Sequence, residues 1–359
     1  MARTRVAVAM SGGVDSSTAA ALLLEAGYDV VGVTLKLTDA SGTPASIGGR
    51  CCSPRDIDDA RATAAQLGFP HYVLDHTAAF RSGVIDDFVA EHKAGRTPNP
   101  CVRCNEKLKF GPLVRFARAI GAAQLATGHY ARVEHDGEGV RLSRAVDRDK
   151  DQSYFLFGVT PDVLRAVTFP LGERTKDQVR AIARRFGLGN ADKPDSQQIC
   201  FIPDGDHKAF VEARGGAGPA GEVVDERGVS LGAHEGTHRF TVGQRRGVPS
   251  TDGQRRFVVR IDAATGRVVV GPRDALLKRS LRVSDLRWTA PPRPHAWPLR
   301  CAVQIRHHAL ATPGCVGAPD DTSTTVSLDE PAAGVAPGQA AVFYDGDRVV
   351  GGGWISDPG

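Results

Sequence analysis

The segment that decides the fold reads Met10-Ser11-Gly12-Gly13-Val14-Asp15-Ser16-Ser17, and we call it the phosphate loop. It follows the apolar run 6–10, which predicts a buried strand, and precedes residues 16–26, which predict a helix ending at Gly27. A glycine turn in this place directs backbone N–H groups and a helix N-terminus towards an anion, and three serine hydroxyls add donors. The alternative is a tight turn that needs two glycines and binds nothing. The Gly-x-x-x-x-Gly-Lys-Ser/Thr sequence of kinases and GTPases is missing, which argues against γ-phosphate transfer.

Strands and helices alternate after the phosphate loop. Residues 29–37, 71–75 and 124–127 predict strands, and residues 54–68, 78–93, 108–120 and 176–186 predict helices. Ser53-Pro54-Arg55-Asp56 supplies an N-cap, a proline at the first helical position and an acid in the first turn, and Thr175-Lys176-Asp177-Gln178 is a capping box. The alternation predicts an α/β domain built on a doubly wound parallel sheet.

The composition changes after about residue 206. Glycine and proline become frequent, and short apolar runs at 257–261, 267–270, 302–305 and 340–344 replace the long helices. A chain of 359 residues suggests two or three domains at roughly 150 residues each. We predict a catalytic domain over residues 1–205, a small β-rich domain over 206–277 and a β-barrel-like domain over 278–359.

The bulk composition is that of an ordinary globular protein, with 41% hydrophobic and 24% charged residues. The first apolar run is broken at once by Ser11-Gly12-Gly13, which is too early for a signal peptide, and no stretch approaches the ~20 apolar residues that span a bilayer. We therefore expect a cytoplasmic protein. Its 7 cysteines are then better explained by catalysis or metal binding than by structural disulfides.

Positive charge is concentrated in residues 239–306, which we call the basic segment. It holds 15 Lys and Arg against 4 Asp, a net charge of +11, so the remainder of this +4 chain carries −7. Aromatic residues such as Phe240, Phe257, Trp288 and Trp297 are interleaved with the arginines. The pattern is typical of a surface that binds a polyanion, and a solvated basic face is the alternative.

Two cysteines stand in sequences that suggest chemistry. Cys104 ends Thr97-Pro98-Asn99-Pro100-Cys101-Val102-Arg103-Cys104, a proline-stiffened loop leading into a helix with Lys107 and Lys109 in its first turns. A thiol at a helix start among three cations should deprotonate below the free pKa of about 8.5, which makes Cys104 a candidate nucleophile. Cys200 lies in Asp195-Ser196-Gln197-Gln198-Ile199-Cys200-Phe201-Ile202, where a buried small hydrophobic side chain is the alternative.

These segments together resemble the bacterial tRNA-specific 2-thiouridylase (MnmA) family over nearly the full chain. The phosphate loop is similar to the PP-loop of ATP pyrophosphatases, which split ATP into AMP and pyrophosphate. The other matching segments, in chain order, are residues 97–105, Ala126-Thr127-Gly128-His129-Tyr130, residues 150–156, residues 195–202, residues 241–247, Pro337-Gly338-Gln339 and Gly351-Gly352-Gly353. Their number and order make the resemblance specific.

The resemblance implies thiolation of the wobble uridine in certain tRNAs. ATP, with Mg²⁺ helping to neutralise charge, adenylates the C2 oxygen of the uridine, and sulfur then displaces AMP. Cys200 is implied to carry a persulfide sulfur supplied by a cysteine desulfurase, directly or through a sulfur-relay protein. Cys104 is implied to attack that persulfide, which leaves a Cys104–Cys200 disulfide.

The resemblance also implies binding residues. Those for ATP are Ala9, Met10, Ser11, Gly12, Gly13, Val14, Asp15, Ser16, Leu35 and Gly128. Those for tRNA are Asn99, Pro100, Cys101, His129, Lys150, Asp151, Gln152, Arg306, His307 and Gln339. A base that undergoes chemistry must leave the stack, which suits a loop pocket backed by a basic surface. Each residue also has a plain structural alternative; His129, for example, could be a strand-end histidine.

The chain departs from the family pattern at two positions. Cys101 stands where many members have an acid, and His307 stands where an aromatic side chain is common. Cys101, Cys104 and Cys200 could instead bind a [4Fe–4S] cluster with one open iron, as in some other tRNA thiolases, but we favour the persulfide route because it needs no metal. Cys51-Cys52 with Cys101 and Cys104 could form a zinc site, although the spacing is unusual for one.

Two other functions fit parts of the sequence. A different ATP pyrophosphatase, such as an amide- or argininosuccinate-forming synthetase, needs the phosphate loop but neither Cys104 nor Cys200. An RNA-binding protein that responds to nucleotides without chemistry needs the basic segment and tolerates the loss of both thiols.

Overall fold

The computed structural model describes residues 3–38, 54–136, 139–195, 199–202, 205–249, 253–289 and 297–359. The chain divides into two compact units. The first contains Met1–Val84, Cys101–Gly205 and Asp347–Val349, and the second contains Ile85–Pro100, Asp206–Gly346 and Val350–Gly359. Among the described residues, no helix is both long and apolar enough to cross a membrane.

The described helices are mostly short. They are α1 (Val14–Glu25), α2 (Pro54–Leu67), α3 (Thr77–Phe80), α4 (Asp86–Lys93), α5 (Pro100–Arg103), α6 (Phe110–Ala119), α7 (Pro161–Leu164), α8 (Lys176–Arg185) and α9 (His207–Glu212). Two π-helical turns, Arg81–Ile85 and Cys104–Lys109, join α3 to α4 and α5 to α6. Short 3₁₀ helices span Ser153–Leu156, Thr237–Arg239 and Arg273–Leu276.

The strands of the first unit are β1 (Arg5–Ala9), β2 (Asp29–Lys36), β3 (His71–Asp75), β4 (Gln124–Thr127), β5 (Ala131–Asp136), β6 (Gly139–Arg144) and β7 (Val167–Thr168). Five of them form a parallel sheet in the order β3-β2-β1-β4-β7, while β5 and β6 form an antiparallel hairpin. The central strand β1 buries Val6, Ala7 and Val8, as expected of a strand covered on both faces. The predicted doubly wound parallel sheet is confirmed.

The strand order fixes where a ligand can bind. The chain moves from β1 outward to β2 and β3 and then returns to place β4 on the other side of β1. Right-handed crossovers put the connecting helices of the two directions on opposite faces, which opens a crevice at the carboxyl ends of β1 and β4. The phosphate loop follows β1 and Gly128 follows β4, so both lie at this crevice.

Three differences from the predicted elements stand out. The helix predicted over 78–93 is interrupted by a π-turn, and the helix predicted over 108–120 begins earlier, at Pro100, and also contains a π-turn. The hairpin β5–β6 is absent from the predicted elements, although its second strand alternates buried Val140 and Leu142 with polar residues. A π-turn is a local i→i+5 departure inside a helix, and the apolar periodicity that predicts helices does not distinguish it from an ordinary turn.

The second unit contains the strands β8 (Gly221–Asp225), β9 (Ser230–His234), β10 (Phe257–Asp262), β11 (Arg267–Gly271), β12 (Leu277–Trp288), β13 (Leu299–Gln304), β14 (Thr312–Val316), β15 (Thr324–Ala333), β16 (Ala340–Asp345) and β17 (Arg348–Asp357). A four-stranded sheet has the order β10-β11-β8-β9. The strands β12-β15-β14-β13-β16-β17 close into a six-stranded barrel because β12 also pairs with β17. Inward-facing side chains such as Leu281, Val303 and Phe343 fill its core. The predicted β-rich and barrel-like regions are therefore confirmed as architecture.

Candidate active site

The phosphate loop is a tight backbone turn held by its own serines. Gly12 has φ +70, and a Cβ on it would lie 2.2 Å from the carbonyl oxygen of Asp56, so no other residue fits. The Ser16 hydroxyl accepts from the Ser11 N–H at 3.1 Å and donates to the Gly13 carbonyl at 3.2 Å. The turn is thus preorganised, as a loop that presents N–H groups to an anion must be.

The loop after β4 packs directly on the phosphate loop. A Cβ on Gly128 would lie 2.6 Å from the backbone nitrogen of Ser16 and 2.8 Å from the carbonyl carbon of Asp15, so the two backbones touch. The neighbouring His129 packs against the rings of Phe110 and Phe169, and its Nδ1 lies 2.7 Å from the Thr127 hydroxyl. Burial, reinforced by Lys109, holds the pKa of His129 well below its usual value, so the ring is neutral.

Asp15 is the centre of an ionic network. Its carboxylate accepts a hydrogen bond from the Tyr130 hydroxyl at 2.9 Å and two from the Lys176 ammonium at 2.8 and 2.9 Å. Burial raises the pKa of Tyr130, with Asp15 adding to the effect, so the phenol stays a proton donor. Lys176 also bonds Asp195 at 2.7 Å, and Lys150 bonds the other oxygen of Asp195 at 2.8 Å.

Lys193 and Asn190 brace the other side of the loop. Lys193 donates to the Gly12 carbonyl at 3.2 Å and to Asp56 and Asp59, both at 2.7 Å. Asn190 donates to the same carbonyl at 3.2 Å and to the Ser17 hydroxyl at 2.9 Å. Burial acts to lower the pKa of Lys193, but its bonds to Asp56 and Asp59 outweigh this and raise it, so the side chain stays charged. These residues immobilise the loop, although the sequence pattern points to neither as a functional residue.

Cys104 opens the π-turn that follows α5 and is buried, whereas Cys101 is exposed and Cys200 is half-buried. The thiol therefore lies one turn inside a helix that begins at Pro100, further along than the sequence predicts. One of the three cations expected around it, Arg103, is paired with Glu106 at 3.2 Å, which weakens the local positive field. π-turns are frequent at functional sites, which fits a nucleophile here.

Helix α3 links the two cysteine segments. It contacts the π-turn that begins with Cys104. Its last residue, Phe80, is fully buried and meets Phe201, the neighbour of Cys200, edge-on at a centroid distance of 5.7 Å. The two segments thus share one packing partner, although they are 96 positions apart in the sequence.

The residues predicted to bind ATP fall into two groups. Ala9, Met10, Ser11, Gly12, Gly13, Val14, Asp15 and Ser16 run from the end of β1 into α1, at the crevice, together with Gly128. Leu35 lies near the carboxyl end of β2, opposite Leu74 of β3, and is buried.

The predicted tRNA contacts of the first unit have internal partners. Asp151 is buried and accepts bonds from Arg144 at 2.9 Å and the Ser153 hydroxyl at 2.8 Å. The Gln152 side chain accepts from the Tyr130 N–H at 3.0 Å. Only Lys150, with a third of its side chain exposed, offers a charged group to solvent. Asp151 and Gln152 therefore shape the segment that presents Lys150.

In the second unit, Gln339 bonds the loop that precedes the cysteines rather than pointing away from it. Its side-chain amide donates to the Thr97 carbonyl at 2.9 Å, and the Thr97 N–H donates to the Pro337 carbonyl at 2.8 Å. Gly338, with φ +89, leaves no room for a Cβ against the Thr97 backbone. Residues 337–339 thus hold in place the chain that leads to Asn99 and Pro100, which are both buried.

Arg306 and His307 follow β13. Arg306 is exposed, and the His307 ring lies 3.8 Å from that of His308, which has the left-handed φ of 65. Elsewhere in the basic segment, several arginines are paired with acids outside it. Arg282 bonds Asp320 at 2.6 Å, and Arg300 bonds Asp329 at 2.8 Å. The net charge of +11 therefore overstates the free positive surface.

The metal-binding alternatives gain no support. Within the described parts of the chain, no group of three or more His, Cys, Asp or Glu side chains could hold a metal ion. Cys101, Cys104 and Cys200 are all described, so the ligand set expected for a [4Fe–4S] cluster is not assembled. The zinc alternative also involves Cys51 and Cys52, which lie outside the described residues.

Known proteins match the chain along nearly its whole length. The family described as "tRNA methyl transferase HUP domain" matches residues 4–204, "tRNA methyl transferase PRC-barrel domain" matches 208–272, and "Aminomethyltransferase beta-barrel domain" matches 278–355. The tRNA-specific 2-thiouridylase MnmA of Geobacter metallireducens is 49% identical over 99% of this chain and 97% of its own length. The protein of the same name from Rhodospirillum rubrum is 52% identical over 98% of this chain and 96% of its own. Among solved structures, a 4-thiouridine synthetase–RNA complex with bound ATP is 17% identical and covers 58% of this chain and 49% of that one, with a TM-score of 0.36.

Proposed function

The chain belongs to the family of tRNA-specific 2-thiouridylases, and from this premise we propose that it is a tRNA-uridine 2-sulfurtransferase driven by ATP. Its reaction replaces the C2 oxygen of the wobble uridine with sulfur and releases AMP and pyrophosphate. The observation that carries the proposal is the shared packing of the two cysteine segments on α3, in the unit that also holds the phosphate loop.

The first step is adenylation at the phosphate loop. The uridine oxygen attacks the α-phosphorus of ATP, and pyrophosphate leaves. The backbone N–H groups at the N-terminus of α1, in residues 13–16, are the proposed donors that stabilise the leaving charge. Mg²⁺ is the proposed metal, because it usually binds through one or two carboxylates plus substrate phosphates rather than in an all-protein cage.

The second step is sulfur transfer. Cys200 carries a persulfide, and the Cys104 thiolate attacks the Cys200 sulfur. The terminal sulfur leaves as sulfide and adds to C2 of the activated base, AMP departs, and a Cys104–Cys200 disulfide remains to be reduced. Cys104 is buried, so this step requires its segment to open towards the persulfide when the substrates bind.

Each unit contributes residues that we propose contact the tRNA. Lys150 in the first unit and Arg306 with His307 in the second are the proposed contacts, with His129, Asn99, Pro100 and Cys101 near the flipped base and Asp151, Gln152 and Gln339 holding these segments. We keep residues 1–205, 206–277 and 278–359 as proposed domain limits. A cysteine desulfurase or a sulfur-relay protein is the proposed persulfide donor, and the tRNA substrate makes the cytoplasm the proposed location.

Mass analysis of wobble uridines in tRNA from a deletion strain tests the proposal. We expect 2-thiouridine to disappear and to return with the intact gene but not with Cys104→Ser or Cys200→Ser. Unchanged 2-thiouridine would favour another ATP pyrophosphatase. Restoration by either cysteine variant would favour an RNA-binding role without chemistry.

A further inference from the structure

Lys176 lies between two carboxylates that come from distant parts of the chain. Its ammonium group is 2.8 Å from Asp15 in the phosphate loop and 2.7 Å from Asp195, which precedes the Cys200 segment. The Lys176 side chain is only 10% exposed, so water screens these contacts little. One cation thus connects the proposed ATP site with the chain that leads to the proposed persulfide.

Asp195 is held as an anion. Burial acts to raise its pKa, but hydrogen bonds from Lys150 and Lys176 outweigh that effect and lower the pKa. Arg180 adds a longer contact at 3.5 Å. The carboxylate therefore stays ionised at neutral pH and binds three cations from two segments.

Helix α8 provides the rigid support for this bridge. Its first residue is Lys176, its capping box fixes its start, and Val179 packs with Ala19 of α1, the helix that follows the phosphate loop. Arg180 also donates to the carbonyls of Ala191 and Lys193 at 3.1 and 3.2 Å, which fixes the chain just before Asp195. Four residues lie between Asp195 and Cys200, and the five steps from one to the other span at most about 18 Å. Anchoring Asp195 on α8 therefore limits how far Cys200 can move from the phosphate loop.

We propose that the Lys176–Asp195 pair is a positioning device that couples adenylation to sulfur transfer. This proposal rests on the proposed function, and neither side chain touches the reacting atoms. The bridge keeps the Cys200 segment near the base that the phosphate loop has activated. Without it, water takes the place of sulfide at C2, which regenerates uridine, releases AMP and wastes the ATP.

The test is the number of 2-thiouridines formed per pyrophosphate released, measured in single turnovers with persulfide-loaded protein and unmodified tRNA. For the wild type we expect a ratio near one. In Asp195→Asn the ratio should fall roughly tenfold, because small displacements of reacting groups cost up to ~10²-fold in rate. The KM for ATP should stay within about twofold, because the change leaves the groups that bind ATP in place.

The matched control is Asp192→Asn. Asp192 also pairs with α8, through Arg184 at 2.6 Å, but both side chains are largely exposed and neither touches the phosphate loop. Its ratio should equal that of the wild type. Lys176→Met should lower both the ratio and the rate of pyrophosphate release, because Asp15 loses its cation, and Lys176→Arg should restore part of both.

A ratio in Asp195→Asn equal to that in Asp192→Asn would overturn the inference, as would an equal fall in both half-reactions with the ratio unchanged. If Asp195→Asn does not fold, the paired change Lys176→Met with Asp195→Leu removes both members of the ion pair together and is measured in its place. A low ratio in that variant supports the coupling, and a ratio near one overturns it. Failure of the proposed function itself is distinguishable because the wild type would then form no 2-thiouridine.

Discussion

The phosphate loop and the barrel surface hold their charges differently. Around the phosphate loop, the ion pairs of Lys176 with Asp15 and Asp195 are shielded, since the Lys176 side chain is only 10% exposed and both acids are partly buried. On the barrel of the second unit, Arg282, Asp320, Arg300 and Asp329 form pairs whose side chains are each about half exposed. A buried pair loses much when one partner goes, whereas an exposed pair is worth about 0–1 kcal/mol and exchanges easily with other ions. The first unit is therefore suited to hold reacting groups in place. In the second unit, arginines can exchange their acidic partners for RNA phosphates.

The largest expected effect concerns the two thiols of the first unit. Cys104→Ser and Cys200→Ser should each abolish thiolation, because a hydroxyl neither carries a persulfide nor attacks one, while tRNA binding stays nearly intact. Turnover with a persulfide donor and ATP is compared with tRNA affinity from filter binding. Cys315→Ser, in the barrel of the second unit, is the control and should keep full turnover. Appreciable turnover in either test variant would rule out the paired-thiol mechanism and, with it, the assignment of the reacting groups to the first unit.

Asp15→Asn tests whether a buried pair at the loop is required. It keeps the size of the side chain but leaves Lys176 facing a neutral group, so tRNA-dependent pyrophosphate release should fall by about 10² to 10³. Asp29→Asn, which removes the exposed Arg5–Asp29 pair of the same unit, should change the rate little. Equal rates in the two variants would show that the ATP site lies elsewhere.

The sequence predicts the phosphate loop because its chemistry is local: two glycines and three serines follow one strand and open one helix. It does not predict Lys176, Asn190 or Lys193, whose partners in the loop are 161, 178 and 181 positions away. Their roles depend on how α8 packs after the sheet has formed. Thr175 and Gln178 predict where α8 begins, and this is confirmed, but a capping box carries no information about which acid Lys176 meets.

The segments that carry the cysteines and the predicted RNA contacts show a second limit of prediction from sequence. The periodicity of apolar residues predicts helices there, but it does not distinguish the π-turn that carries Cys104 from an ordinary helical turn. Asp151 and Gln339 stand in motifs associated with RNA contact, yet their side chains bond to protein groups. A motif identifies a segment, and only the folded structure tells which of its side chains face inward.

His92 extends the comparison to a buried group that is kept neutral. It lies on α4 in the second unit beside Phe88 and the stacked ring of His207. Burial, with His207 and His238 adding, lowers its pKa from 6.5 to about 4. Because the folded-state pKa is depressed, the unfolded chain takes up the proton first as pH falls. Stability should therefore drop between pH 6.5 and 4, by at most about 3 kcal/mol at 1.36 kcal/mol per unit.

Chemical denaturation of the full chain followed by tryptophan fluorescence measures this drop, since all 3 tryptophans, Trp288, Trp297 and Trp354, belong to the second unit. His92→Met, which keeps the site apolar and cannot take up a proton, should flatten the pH dependence. His135→Gln, at an exposed position in the first unit, should leave it unchanged. A slope that persists in His92→Met would assign the acid sensitivity to another group.

The smallest expected effects concern exposed arginines of the basic segment. They compare Arg306 with an arginine that is paired with an acid. Arg306→Ala removes an exposed cation, so the slope of log K against log salt for tRNA binding should become shallower by up to about one unit.

Asp329→Asn should act in the opposite sense: it releases Arg300 for a phosphate, which steepens the slope and tightens binding by about threefold at low salt. Asp192→Asn also frees an exposed arginine, Arg184, but in the first unit and outside the basic segment, and should leave both quantities unchanged. Fluorescence titrations with one tRNA at several salt concentrations measure all three variants. Equal affinity gains in Asp329→Asn and Asp192→Asn would mean that tRNA responds to net charge alone, and the basic segment would then be an ordinary solvated surface.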